Sequence, residues 1–574
     1  MNTKISALHL FADEEGSCPF SGELFNKKAD DPIFENGIIT GVGGNGKLVY
    51  LGDLMDRYPN EIRLMLKMIE IHDAKPNQIT LIAGNRDVNK MRLKDELKIE
   101  GIKQLKDKAG LVELANELAT GFKFVDYDDT RFKFWNQETN KTPLSDRKSE
   151  DPVKRLAACV SSLMGVNRPK LALDVKIEEA HSLGFKTNQL NSDPAKAIFV
   201  CLLYTILAGG YPEPETTDDQ EFKQLFGLYG KYLSKCKIMS LETVKDATVL
   251  VAHGGVPDII SNPIGYDQKN TKNNKVTVTE KAREVIDAIN KDFQTHVQAH
   301  FHDPEKTNVD LLNYYVGLSG PLQDNDLHGP NNEFTNKLSP IVYRNLLNVQ
   351  NHKNMYVGGD RNINYDDPLI SNLKEQSYNK QLVNFVVFGH TPQGNAPTVW
   401  AGDTTATRQT IFAAIDVSNS NDDQTANYST FAVMTIRSAE DMIVRGQYVD
   451  KKNGNAIKTF KNTLKEYKQY TTQKLDGKDY NFRYTDSKGR LVFTATNIPP
   501  FSKNHKFGDI IDYNEMKPAN SSGLQEISPL AVHGTAAVLN TRGGGGGKAT
   551  NFWSRIAQGL AVTLACAIAG SFRS

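Results

Sequence analysis

"ITLIAGNRDVNKMRL", residues 79–93, joins a short apolar run to the polar cluster Gly84-Asn85-Arg86-Asp87 and then to a segment with helical spacing. A short run of Ile, Thr, Leu and Ala stopped by glycine reads as a buried strand. Strand, polar turn, helix is the repeat of an α/β protein whose active edge lies where the strands end. Four further runs have the same form: "SALHLFADEEG" (6–16), "KLVYLGDLMDR" (47–57), "TVLVAHGG" (248–255) and "VNFVVFGH" (383–390). The second of these is followed by "NEIRLMLKMIEIHD" (60–73), a helical pattern with Asn60 placed as its N-cap.

At 574 residues the chain has room for an enlarged catalytic domain with appendages. Its 68 basic and 68 acidic residues cancel, which removes the bulk electrostatic case for nucleic acid. Five cysteines without paired spacing argue against a disulfide framework or a cysteine-built zinc site, and point to a reducing compartment. The N-terminus lacks the pattern of a secretory signal peptide, so a cytoplasmic location is expected.

Residues 100–245 read as a mostly helical insertion, carried by "GLVELANELATGF" (110–122), "DPVKRLAACVSSLMG" (151–165) and "DPAKAIFVCLLYTILAGG" (193–210). The latter two open on Asp151 and Asp193 as N-cap candidates. A more polar insertion spans 265–380, and its His300 and His302 are expected at the surface. Residues 1–435 are thus expected to form a catalytic domain, followed by a small α+β module over 436–530. Within that module "KTFKNTLKEYKQY" (458–470) reads as a charged helix and "DYNFRYTDSKGRLVFTATN" (479–497) as a β-hairpin. A Gly-rich linker and apolar tail fill 531–574; the apolar run Leu560–Gly570 falls short of the roughly 20 residues that span a bilayer. It reads as a docked or amphipathic helix, with weak membrane contact as the other reading.

Chemistry collects at the strand ends. "GDLMDR" supplies Asp53, Asp56 and Arg57, "GNRD" supplies Asn85, Arg86 and Asp87, "AHGG" supplies His253 and "FGHTPQG" supplies His390. Each motif alone is weak, but carboxylate, carboxamide and imidazole converging from several strand ends is what a site for two bridged divalent ions requires.

The order Gly-Asp-x-x-Asp-Arg, Gly-Asn-x-Asp, His-Gly-Gly, Gly-His resembles the calcineurin-like metallophosphoesterases, in particular the phosphoprotein phosphatase (PPP) branch, over residues 5 to about 420 outside the insertions. "SPIVYRNLL" (339–347) is similar to a segment of bacterial members whose arginine contacts phosphate, here Arg344. The resemblance implies a four-layer αββα sandwich and hydrolysis of phosphate monoesters by a metal-activated water, with arginines gripping the phosphate. Arg57, Arg86 and Arg344 are the candidates for that grip, since a guanidinium fork matches phosphate geometry. It also aligns "FADEEG" with the family's Asp-x-His-Gly, so that Asp13 keeps its place and Glu15 stands for the histidine. Asp13, Glu15 and Asp53 then form one metal position, and Asp53, Asn85, His253 and His390 the other. Mn²⁺ is the expected ion, with Mg²⁺, Fe or Zn²⁺ as alternatives.

In the family the residue at position 86 is a histidine thought to protonate the leaving oxygen. Arg86 stays charged and cannot do so. General-acid catalysis is worth roughly 10²- to 10⁴-fold, so its loss favours leaving groups that need little help, such as the phenol of phosphotyrosine. Asp56, Asp87 or another acid taking over proton donation is a competing reading, and Asp53, Arg86, Asp87 and Asp56 are the catalytic candidates. The Gly-Asn-Arg-Asp variant, helical insertion and Asn- and Lys-rich composition more loosely resemble the bacterial type IV effector phosphatases typified by Legionella WipA and WipB. That resemblance implies secretion into a host cell and a host phosphoprotein as substrate. Hydrolysis of nucleotides or dinucleotide polyphosphates, and a degenerate phosphoprotein-binding scaffold, are the alternative functions.

Overall fold

The computed structural model describes residues 5–12, 33–35, 38–41, 45–55, 60–102, 104–126, 144–164, 169–255, 278–302, 347–349, 361–363, 383–390, 397–401, 410–416, 431–450, 456–464, 473–475, 478–484, 490–495 and 510–512. The chain divides into two units, 1–530 and 531–574, and the second, with the apolar tail, lies outside the described residues.

Strands β1 (Ala7–Phe11), β2 (Ile33–Glu35), β3 (Ile38–Gly41), β4 (Gly46–Tyr50), β5 (Ile79–Ile82), β6 (Cys236–Lys237), β7 (Met239–Val244) and β8 (Ala247–Ala252) come first. They are followed by β9 (Leu347–Val349), β10 (Arg361–Ile363), β11 (Phe385–Phe388), β12 (Thr398–Ala401), β13 (Ile411–Ala414), β14 (Phe431–Ser438), β15 (Asp441–Asp450) and β16 (Ala456–Thr463). Two mixed sheets organise the fold: seven strands in the order β16-β15-β14-β1-β4-β5-β6, and five in the order β12-β13-β11-β8-β7. β1, β4, β5 and β6 run parallel in the first, as do β8, β11 and β13 in the second. The five strands that carry the polar clusters therefore end on a common edge of their own sheet.

Period-two alternation sorts their side chains onto two faces. Leu8, Leu10, Val49, Leu51 and Ile82 of the seven-stranded sheet share one apolar cluster with Val249, Val251, Phe385, Val387 and Ala413 of the five-stranded sheet. The intervening residues Leu48, Tyr50 and Leu81, and on the other sheet Leu250, Val386 and Phe412, belong to a second cluster with the helices. Fully buried runs of this kind are expected of parallel strands covered on both faces. The fold is thus mixed α/β.

Helix α1 (Glu61–Ala74) follows β4 and buries Ile62, Leu64, Met65, Met68 and Ile71, one stripe of a 3.6-residue period. Asn60 is its N-cap by position but makes no side-chain capping bond. Helices α2 (Asn85–Asn89) and α3 (Leu93–Glu96) follow β5. The insertion supplies α4 (Lys108–Leu118), α5 (Leu144–Arg147), α6 (Pro152–Met164), α7 (Pro169–Ser182), α8 (Asp193–Leu207), α9 (Gln220–Leu225) and α10 (Leu228–Leu233). From Ala197 to Leu207, α8 is buried at every position, the signature of a central helix.

Several local readings are corrected. Asp151 does cap α6, accepting from Val153 N at 2.9 Å, but α8 is capped by Ser192, which accepts from Ala195 N, one residue before Asp193. The helical insertion stops at Leu233, because Cys236–Lys237 joins the first sheet beside β5 and Met239–Val244 joins the second beside β8. Within the polar 265–380 stretch, Val278–His302 is one long helix, and His300 on it is buried, not at the surface; the side chain of His302 lies outside the described residues. "KTFKNTLKEYKQY" does not begin a helix: Lys458–Thr463 is part of β16, paired residue for residue with β15. Because β14–β16 extend the sheet that holds β1, residue 436 falls inside a strand of the seven-stranded sheet. β18 (Lys478–Tyr484) and β19 (Arg490–Ala495) pair as the expected hairpin, flanked by β17 (Gln473–Leu475) and β20 (Ile510–Asp512).

Candidate metal centre

At the end of β4 the chain turns through Gly52 and Asp53, both with left-handed backbone at φ 91° and 55°. At the end of β5 it turns through Gly84 into α2. The two turns touch: a Cβ on Gly52 would lie 2.5 Å from Gly84 N, and one on Gly84 would lie 2.2 Å from both Asp53 N and Asp53 Oδ1. Only a pair of glycines allows this approach, which sets Asp53 beside Asn85 and Arg86.

Asp87 ties the turns together. Its carboxylate accepts from Leu54 N at 2.9 Å, Asp53 N at 3.1 Å and Gly84 N at 2.9 Å. Burial and the adjacent Asp53 charge push its pKa up to about 7, while the hydrogen bonds from Gly84 and Leu54 hold it down. With both oxygens engaged by backbone donors and no exposure, Asp87 is placed to position the loop.

From the other sheet, His253 directly follows β8 and His390 stands two residues after β11, the latter also left-handed at φ 64°. Non-glycine residues in that region cost roughly 1–2 kcal/mol each, so strain is concentrated at two of the residues that carry the site. Gly389 N donates to His253 O at 2.7 Å and brings the two loops together. The imidazoles stand edge to face, 5.0 Å between centroids.

Four polar side chains meet here. His253 Nε2 lies 3.3 Å from Asp53 Oδ1, 3.2 Å from Asn85 Oδ1 and 3.2 Å from His390 Nδ1. Ligand atoms of Asp53, His253 and His390 all fall within 4.8 Å of one another, and all three residues are buried. His253 Nδ1 is 2.6 Å from the Leu51 carbonyl, which accepts its proton and so turns the Nε2 lone pair toward the cluster. A proton on Nε2 can serve one of the three facing atoms; a cation among them can serve all four. Burial pushes the His253 pKa down, but the Asp53 charge and hydrogen bond prevail and raise it above the ordinary value. Burial likewise pushes Asp53 up, and the His253 and Arg86 charges outweigh it, leaving the carboxyl below its usual range. The site therefore holds Asp53 ionised and demands positive charge beside it. Carboxylate, carboxamide oxygen and two imidazoles suit Mn²⁺, Fe or Zn²⁺.

Arg86 lies on the same carboxylate. Its backbone N–H donates to Asp53 Oδ1 at 2.9 Å and its Nε stands 3.4 Å from Asp53 Oδ2. The structure thus brings Asp53, Asn85, Arg86, Asp87, His253 and His390 together. Asp13, Glu15, Asp56, Arg57 and Arg344 lie outside the described residues. Two participants have no side-chain signal in the sequence: the Leu51 carbonyl, and Gly84 as a spacer against Asp53. The glycine before Asn85 was the sole hint of the second.

No family model matches the chain, and no curated protein matches it. Two solved structures are similar: a crystal structure of the cold-active protein-tyrosine phosphatase of a psychrophile, Shewanella sp., and one of a point mutant of a cold-active protein tyrosine phosphatase. Each is 13% identical, with 79% of this chain and 80% of that chain covered, and a TM-score of 0.30. At that score the likeness carries no functional argument.

Proposed function

We propose that this chain is a metal-dependent phosphoric monoester hydrolase of the calcineurin-like phosphoprotein phosphatase type, built on a four-layer αββα sandwich. One observation carries the reading: Asp53, Asn85, His253 and His390 converge from two parallel strand ends in each of two sheets, with the His253 lone pair directed among them. Asp53, Asn85, His253 and His390 would hold a divalent cation there, which when bound would supply activation of a water and polarisation of a phosphoryl group. The chain's own residues do the rest. Leu51 O orients His253, Asp87 and the two glycines hold Asp53 in register, and Arg86 offers fixed positive charge to the phosphate side of Asp53.

Arg86 also shapes the substrate preference. It cannot give up a proton, so the leaving group must depart largely unaided. A phenolate, with a pKa near 10, departs far more readily than a serine or threonine alkoxide. The substrate class we infer is therefore phosphotyrosine in proteins, including host proteins if the chain acts as a secreted effector.

The test is Mn²⁺-dependent hydrolysis of p-nitrophenyl phosphate and of matched phosphotyrosine and phosphoserine peptides. Asp53→Asn and His253→Ala are expected to abolish turnover and metal retention together. Equal turnover after exhaustive chelation would exclude the metal reading; faster phosphoserine than phosphotyrosine cleavage would exclude the substrate reading.

A further inference from the structure

We infer that Asn290, on a helix outside the candidate centre, is the positioning residue that sets the distance between the two halves of that centre. The inference rests on the metal-site reading above. Asn290 belongs to α11 (Val278–His302). Ile286, Phe293 and Val297 form a buried apolar stripe on this helix, and Asn290 and Gln294, at successive steps of four from Ile286, fall on the same face. Two carboxamides within an apolar stripe call for polar partners in the core.

Those partners are the backbone of the chain where it crosses between the sheets. β6 ends at Lys237 in the seven-stranded sheet and β7 begins at Met239 in the five-stranded sheet, so Ile238 belongs to neither. Asn290 Oδ1 accepts from Ile238 N at 2.8 Å and from Met239 N at 3.3 Å, and Asn290 Nδ2 donates to Met239 O at 2.9 Å. Gln294 Nε2 donates to Leu233 O at 3.2 Å and also to Cys236 O. Ile238 and Met239 are fully buried, where a backbone group without a partner is costly.

The crossing holds a strand end on each side. Lys237 O accepts from Ala83 N at 2.8 Å, directly before the Gly84-Asn85 turn, and Met239 is paired with Ala252, directly before His253. Residues 237–239 thus span the gap between the strand ends that deliver Asn85 and His253, whose Oδ1 and Nε2 stand 3.2 Å apart. The helix itself is fastened along its length. Arg283 Nη2 donates to Thr243 Oγ1 at 3.1 Å, Lys94 Nζ donates to His300 O at 3.2 Å, and the Phe301 ring fills the space that a Cβ on Gly230 would take. The Asn290 carboxamide is therefore a fixed peg at the crossing. Without it Ile238 can shift, and ligand spacings that tolerate only about 0.2 Å are lost.

The experiment compares full-length wild type, Asn290→Leu and Val297→Ala. The leucine removes the carboxamide at similar volume, whereas the alanine thins the same apolar stripe and leaves the carboxamide in place. Hydrogen exchange of the metal-free protein is followed by mass spectrometry over 79–87 and 248–253, and Mn²⁺ binding is measured by titration. Asn290→Leu is expected to exchange faster in both segments and to bind Mn²⁺ about 10- to 100-fold more weakly; Val297→Ala is expected to match wild type in both. If the leucine variant does not fold, Asn290→Ser, where water can enter beside the same backbone groups, carries the test with the same expected losses. Faster exchange in one segment alone, or wild-type Mn²⁺ affinity in the Asn290 variant, would overturn the inference. Equal losses in Val297→Ala would overturn it too, since helix packing and not the carboxamide would then hold the site. If wild type binds no Mn²⁺, the metal-site reading falls, and the exchange of the two segments by itself decides the role of Asn290.

Discussion

Replacing Lys176 by methionine tests how the helical insertion is locked to the strand-end loop of Asp53. Lys176 on α7 reaches Glu61 Oε2 at 2.7 Å and Glu179 Oε2 at 2.6 Å, and all three residues are at most 1% exposed. Glu61 is the first residue of α1, the helix that follows that loop; its Oε1 accepts from Tyr229 Oη of α10 at 3.1 Å. Glu179 Oε1 accepts from Ile62 N at 2.6 Å. The triad thus fastens α1, α7 and α10 through one buried cation. Lys176→Met keeps the unbranched shape and leaves two buried carboxylates facing each other. Breaking such a pair costs roughly 3–5 kcal/mol, and that loss is expected at pH 8.

The cost should shrink in acid. Burial, with the Glu61 charge and against the pull of Lys176, already raises Glu179 to about 7. A carboxyl raised from 4.5 contributes stability that is complete below pH 4.5 and is lost as pH rises through 7. Without the lysine the folded value rises further, so at pH 5.5 one carboxyl is protonated and donates to the other. The deficit is then expected to fall to about 1–2 kcal/mol, the scale of one hydrogen bond. Urea unfolding at the two pH values, with the denaturant slopes compared, measures both numbers. Adding Glu61→Gln and Glu179→Gln to the methionine variant should recover most of the loss at pH 8. A deficit under about 1 kcal/mol at pH 8, or one equal at both pH values, would refute the account of a charge-locked triad.

Gly84→Ala forces a methyl to within 2.2 Å of Asp53 N and Oδ1, and should cost about 3 kcal/mol or more and abolish Mn²⁺ retention; full metal content in a folded variant would show that the glycine contact is dispensable. His9 on β1, 3.1 Å from Thr435 Oγ1, is held down to about 3 by burial and by Arg437 and Arg445. Its stabilising contribution is present above pH 6.5 and lost as pH falls toward 3. At pH 5 the wild type should have lost about 2 kcal/mol through it, and a folded His9→Gln variant should lack this slope in urea titrations. Because Glu179 acts in the opposite sense between pH 4.5 and 6.5, Glu179→Gln should steepen the acid loss and His9→Gln flatten it, which parallel melts of the two variants would resolve.

Much of the architecture is legible in the chain because its signals are local. Apolar runs stopped by glycine mark β4, β5, β8 and β11, and the polar residues after them are the ones that meet at the site. Sequence alone therefore determined the α/β class and picked out at the strand ends the quartet Asp53, Asn85, His253 and His390 that the structure brings together. It also showed that Arg86 cannot donate a proton, since that follows from the side chain itself.

What the tertiary structure decided depends on partners far away in the chain. Lys458–Thr463 has spacing that a helix could use, yet its backbone pairs with β15, and nothing within those residues announces the pairing. His300 looks like a surface residue until its helix is packed and buries it. That Asp87 accepts from three backbone amides of two loops is likewise invisible until the β4 and β5 turns meet. The same holds for Arg86: its charge is written in the sequence, but its place on Asp53 Oδ2 follows from the glycine contact between the β4 and β5 turns. A side chain's chemistry is local, whereas which atoms face it is set by strand order and by the close approach of loops roughly 30 residues apart.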